Sequence, residues 1–213
     1  MHSWVIGRGG MLGASVEKYL MPDSSLYEPK NRFSWNDPIA CALELQQEVE
    51  RFGQIVGSKP WSIYWCAGAG TVTASEEVLR NETVFLEHFL AVIGNSIDLR
   101  CDLGLLFYSS SAGGLYAGAS PLPITEQSEV APRSSYGLQK LKNEEIFGAF
   151  ARQNGARVLL GRIANLYGPN QNRSKGQGLI TSICQSHILR KPANIFVGLD
   201  TVRNYIYVDD AAE

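Results

Sequence analysis

The 213-residue chain is predicted to be an α/β protein, a doubly wound parallel sheet with helices on both faces. Two observations predict it. Short apolar runs, Ser3–Ile6, Ser62–Cys66, Leu103–Tyr108 and Arg157–Gly161, alternate with longer stretches of helical periodicity. Gly7, Gly10 and Gly13 form a G-x-x-G-x-x-G spacing between the first run and the first helix. Glycines there permit a tight bend, close approach of backbone to a pyrophosphate and close helix packing.

Composition narrows the class. With 45% hydrophobic and 19% charged residues and a net charge of −2, the chain reads as globular, and no Lys/Arg cluster points to a nucleic-acid partner. No apolar stretch approaches the roughly 20 residues that span a bilayer, so no membrane segment is expected. Cys41, Cys66, Cys101 and Cys184 are scattered, without C-x-x-C pairs or histidines at metal-ligand spacing. They read as free thiols in a reducing cytoplasm, and no metal site is expected. His2, His88 and His187 form no constellation.

In chain order, the first helix runs to Leu20 and ends before Pro22, and Leu26-Tyr27 reads as a short second strand. A dinucleotide fold places a ribose-reading residue just after that strand. Glu28 could accept from a ribose 2′-hydroxyl, favouring NAD, whereas Arg8, Lys30 and Arg32 could neutralise a 2′-phosphate. The local positive charge leans slightly to NADP. Asp37-Pro38 starts a helix over about Ile39 to Phe52, and Ser62–Cys66 follows as a buried strand ending in Ala67-Gly68-Ala69-Gly70. Small residues there let a flat ligand lie on the backbone. A helix is expected from Asn81 to Ile93, with Phe85, Phe89 and Ile93 as core or as a partner surface. The strand Leu103–Tyr108 then delivers Ser109, Ser110 and Ser111.

Tyr136 follows Ser111 by 25 residues and Lys140 by 29. If Tyr136 opens a helix, the i, i+4 spacing puts the ammonium and the phenol on one face. A free phenol titrates near about 10, and bringing it near neutrality requires about 4 kcal/mol. A lysine cation, a positively charged nicotinamide and a serine donor could together supply this, so that Tyr136 moves a proton while hydride moves to or from the nicotinamide. An ordinary surface pair is the alternative. The helix continues to about Gln153, Gly155 stops it, and the rise in Gly, Pro and Asn over Gly168–Asn172 marks a boundary.

Taken in order, these pieces resemble the extended short-chain dehydrogenase/reductase family, the NAD(P)-dependent epimerase/dehydratase group that modifies nucleotide-sugars. The resemblance spans nearly the whole chain. It rests on Gly7/Gly10/Gly13, Cys66-Ala67-Gly68-Ala69, Asn81 opening its helix, Ser109-Ser110-Ser111 and Tyr116. It rests further on Pro132–Tyr136 with Gly137, Lys140 and Glu144, on Arg162–Pro169 and on Arg203–Asp210. It implies a Rossmann NAD(P)-binding domain over 1–166 and substrate-facing elements over 167–213. It also implies catalytic roles for Ser111, Tyr136 and Lys140. Cofactor contacts are expected from Gly7, Arg8, Gly10, Met11, Leu12, Gly13, Glu28, Lys30, Arg32, Ala67, Gly68, Asn81 and Ser109, together with Tyr136 and Lys140. Asn165 and Arg203 are expected at the substrate diphosphate.

Departures refine this expectation. Family dehydratases carry Asp-Glu directly after the catalytic hydroxyl, where this chain has Ala112-Gly113, which disfavours 4,6-dehydration. Tyr116 sits one residue further from the serines than usual, which leaves Ser110 as an alternative to Ser111. Family members continue for about a hundred residues more, so the C-terminal substrate lobe is expected to be incomplete. The resemblance implies an epimerase or reductase and a homodimer through the helices near Asn81–Ile93 and Tyr136–Gln153. The alternative is a cofactor-binding regulatory or scaffold protein without turnover.

Overall fold

The computed structural model describes residues 1–22, 25–171, 178–195, 197–198 and 200–213. Among these, β1 (His2–Ile6), β2 (Ser25–Leu26), β3 (Trp61–Trp65), β4 (Gly104–Ser111) and β5 (Arg157–Ile163) form one parallel sheet in the order β2-β1-β3-β4-β5. Parallel neighbours need crossovers, and four helices supply them: α1 (Met11–Leu20), α2 (Pro38–Val56), α3 (Glu76–Asn95) and α5 (Ser135–Asn154). The order reverses between β1 and β3, which opens a crevice at the carboxyl ends of those strands.

Pleating sorts the strand residues to two faces. Trp4, Ile6, Ile63, Trp65, Leu106 and Tyr108 join the larger core with Leu45, Val49 and Phe52 of α2, and with Phe85, Phe89 and Ile93 of α3. Val5 faces the other way against Leu12 and Val16 of α1. The phenylalanine stripe is therefore core. Phe85, Phe89 and Ile93 are turned into the chain itself and leave nothing of that stripe for a partner.

Local chemistry sets the helix starts. Asp37 accepts hydrogen bonds from the Ile39 and Ala40 amides ahead of Pro38, so α2 begins where its sequence says. Ser75 accepts from the Val78 amide and starts α3 at Glu76, which corrects the expected start at Asn81. Ser134 accepts from the Gly137 amide at 3.1 Å, and Gly155 closes α5 in a left-handed conformation.

Beyond β2 the chain turns on the buried carboxylate of Glu48. That side chain accepts from the Tyr27 hydroxyl and from the amides of Lys30 at 3.2 Å and Asn31 at 3.1 Å, and it pairs with Arg51. A charge fully removed from water requires such partners.

The rest of the described chain carries α4 (Ala112–Leu115), β6 (Asn165–Tyr167), α6 (Leu179–Ile188), β7 (Tyr205–Tyr207) and α7 (Val208–Ala212). β6 and β7 pair in parallel, and Asp209 fastens α7 to α1 through Ser15 at 2.7 Å and Lys18 at 3.2 Å. Asn172, at the end of the predicted boundary run, lies outside the described residues. Among the described residues no helix is long and apolar enough to cross a membrane, and all four cysteines are free thiols.

Candidate functional site

The crevice is a cleft of about 600 Å³ lined by Gly7, Gly10, Ala67, Gly68 and Asn81 from the expected set. Gly7 has a φ of +92°, and a Cβ there would lie 2.5 Å from the Ala67 amide nitrogen. A Cβ on Gly13 would overlap the Gly7 carbonyl, so α1 reaches the turn only because that side chain is missing. A cradle whose depth depends on absent side chains fits a flat, phosphate-bearing ligand.

Other expected contacts lie elsewhere. Met11 opens α1, and Leu12 is buried in the smaller core cluster, so Leu12 could reach a ligand only through its backbone. Arg8 pairs with Glu17 at 2.8 Å and lies 4.0 Å from Glu28, whose side chain is largely exposed. Lys30 and Arg32 are exposed. Lys30 lines a separate cavity of about 370 Å³ with Glu28 and Arg51 at the β2 edge and is not among the residues lining the main cleft.

The residues expected to do chemistry converge at one end of β4. Pairing of Trp65 with Tyr108 leaves Ser109, Ser110 and Ser111 beyond the end of β3, supported by Gly161, Arg162 and Ile163. Ser111 accepts from the Gly114 amide at 3.1 Å, and its hydroxyl is near enough to the Tyr136 phenol to act on that phenol's titration. The Ser110 hydroxyl is turned inward and has no hydrogen-bond partner among the described residues. Strand alternation thus sends one serine to the phenol and the other to the core. Lys140 lies one turn along α5 from Tyr136, its Nζ 5.7 Å from the phenol ring centre, and donates to the Ser109 carbonyl at 3.0 Å.

Burial pushes the Tyr136 phenol above its ordinary value; the Ser111 hydroxyl pulls it back and the charge of Glu82 adds to the rise. The expectation that Lys140 would lower this phenol is therefore not met by the chain alone, because desolvation of the phenolate outweighs the pull of the Ser111 hydroxyl. Lys140 is itself held below its ordinary value by burial, against the opposing fields of Glu82, Glu144 and Cys66. Burial raises the Cys66 thiol to about 12, against the pull of Lys140.

Further residues complete the cleft without having been read from the sequence. Trp35 and Asn36 come from the segment after β2, Glu77, Val78, Glu82 and Phe85 from α3, and Trp65 from β3. Glu82 accepts from the Ala69 and Gly70 amides and from Gln139 at 3.2 Å, fixing the turn that follows β3. The Ser34-Trp35-Asn36-Asp37 run, an indole in an otherwise polar turn, was the one available signal.

Glu144, Arg162 and Tyr116, distant in sequence, meet beside α5: Arg162 donates to Glu144 at 2.7 Å and to the Tyr116 hydroxyl. Asn165 and Arg203 do not line the cleft. Asn165 donates to the Asn204 carbonyl at 2.8 Å, and Arg203 is exposed and donates to the Val202 carbonyl at 2.9 Å. The pairing of β6 with β7 brings those two segments together.

Comparison with known proteins agrees with the fold. The sequence model described as the NAD dependent epimerase/dehydratase family matches residues 4–213. A UDP-glucose 4-epimerase candidate from Methanocaldococcus jannaschii is 31% identical over 113 residues, 53% of this chain and 37% of that protein. A dTDP-4-dehydro-6-deoxyglucose reductase from Escherichia coli is 30% identical over 108 residues, 51% of this chain and 34% of that protein. Both matches thus span little more than a third of the relative. The crystal structure of a UDP-glucose 4-epimerase from Thermotoga maritima, solved with UDP-glucose, superposes with a TM-score of 0.79 at 21% identity. It covers 100% of this chain and 71% of that one.

Proposed function

The chain belongs to the NAD dependent epimerase/dehydratase family, and we propose that it oxidises or reduces a ring carbon of a nucleotide-activated sugar, as an epimerase or reductase. The observation that carries the reading is the meeting of the Ser111 hydroxyl, the Tyr136 phenol and the Lys140 side chain at the carboxyl end of β4.

A bound nicotinamide dinucleotide would supply the hydride donor or acceptor and, when oxidised, a positive charge beside the phenol. Gly7, Gly10, Ala67 and Gly68 would hold its pyrophosphate and adenosine half, and Lys140 its ribose. Ser111 would orient the reacting oxygen by a hydrogen bond, and Tyr136 would take the proton from that oxygen or return it. The charge balance of the sequence leaned to NADP. In the fold Arg8 is already paired with Glu17 and faces Glu28, which supports NAD. Ala112 and Gly113 after Ser111 offer no carboxylate, which weighs against 4,6-dehydration.

Residues 167–213 would carry substrate-facing elements, with Asn165 and Arg203 turned to the diphosphate in the loaded protein. The outward sides of α3 and α5, where Val84 and Leu138 are exposed, would form a homodimer contact.

Fluorescence titration with NADH and NADPH, followed by a panel of UDP-, GDP- and dTDP-sugars, tests the reading. Turnover of one class of sugar is the expected result. Tight dinucleotide binding with no turnover would favour a regulatory or scaffold protein.

A further inference from the structure

We propose that the ring of Tyr108 is a cation–π platform that holds the Lys140 ammonium in place, a positioning role that rests on the reading of Lys140 given above. Lys140 is 7% exposed, and an ammonium brings three N–H donors into whatever site it occupies. The described contacts give it one hydrogen bond, to the Ser109 carbonyl. Among the described residues no carboxylate forms an ion pair with it, since every pair present joins other partners. What lies under it is aromatic. Nζ sits 4.8 Å from the centre of the Tyr108 ring, nearer than the 5.7 Å to that of Tyr136.

The platform is fixed at both ends. Phe147 stacks on the Tyr108 ring with centroids 4.9 Å apart. The Tyr108 hydroxyl accepts from Asn143 Nδ2 at 2.9 Å, and Asn143 Oδ1 accepts from the Thr83 hydroxyl at 2.9 Å, tying β4 through α5 to α3. All three residues are buried. Burial keeps the Tyr108 phenol protonated, so the ring presents a neutral face.

This arrangement suits the neighbourhood. The groups facing Lys140 are Tyr108 and Ser109 on β4, Tyr136 and Glu144 on α5, Glu82 on α3 and Cys66 just past β3. A carboxylate placed under the ammonium would also repel phenolate at Tyr136, as Glu82 already does. A ring quadrupole attracts the cation without adding that charge.

The test reads Lys140 directly. The chain is labelled at lysine Cε with ¹³C, the Lys140 signal is assigned by its loss in Lys140→Met, and its shift is followed against pH with no dinucleotide or sugar present. Tyr108→Phe keeps the ring face, and Lys140 should titrate as in the unsubstituted chain. Trifluorophenylalanine at position 108 keeps the packing and weakens the quadrupole, and the Lys140 midpoint should then fall by about one unit. A midpoint that is the same with the fluorinated and the plain ring overturns the platform. Because no turnover is measured, that result leaves the reaction proposed for Tyr136 standing, and failure of that reaction would leave this titration intact.

Discussion

Lys140 Nζ lies 5.7 Å from the centre of the Tyr136 ring, one helical turn further along α5, with both side chains at the end of β4 that carries Ser111. Proton transfer should therefore depend on a single oxygen. Tyr136→Phe is expected to lower kcat by about 100-fold or more while dinucleotide affinity changes little. Steady-state rates and fluorescence titration check the two halves separately, and a variant that keeps its rate removes Tyr136 from the reaction.

The glycine turn makes a prediction by contrast. Gly13→Ala sets a methyl group against the Gly7 carbonyl and should destabilise the fold by about 1–3 kcal/mol and abolish dinucleotide binding. Gly9→Ala meets nothing within 4 Å and should leave the stability of the fold nearly unchanged. Urea unfolding with and without NADH measures the difference.

Glu144 is buried, and its carboxylate takes hydrogen bonds from Arg162 at 2.7 Å and 3.1 Å. Glu144→Gln leaves that guanidinium without its charge partner. Since Arg162 keeps some access to water, the loss should fall near the low end for a broken buried pair, about 3 kcal/mol. A melting temperature equal to that of the unsubstituted chain would contradict this.

The thiols predict an alkaline limit. Burial raises Cys41 and Cys66 from 9.0 to about 12, so the fold keeps both protonated where the unfolded chain would ionise. Folded values above unfolded ones mean that this contribution is complete below about pH 9 and is lost as pH rises from there toward 12. Chemical denaturation across that window should show stability falling. At pH 8 a disulfide reagent should modify exposed Cys184 quickly, and buried Cys41 only after denaturant is added.

Much of this protein was legible along the chain. The glycine spacing, the Asp37-Pro38 start of α2, the Gly155 stop and the run of strands separated by helices all depend on neighbours within a few residues, where backbone geometry and capping decide the outcome. The same holds for Tyr136 and Lys140, whose shared face follows from one turn of helix. Ser111 and Ser110 could not be separated along the chain, because the pleat that turns one to the phenol and the other to the core exists only once the end of β4 is paired with β5.

Tertiary structure alone decided the rest. Trp35, Glu82 and Tyr108 became neighbours of the cleft or of Lys140 through contacts between elements far apart in sequence, and Arg8 found carboxylates that its local charge balance did not foretell. It also set the sign of the Tyr136 shift. Spacing places a cation near a phenol, but how far water is excluded from that phenol is a property of the packed whole, and here exclusion outweighs the pull of Ser111.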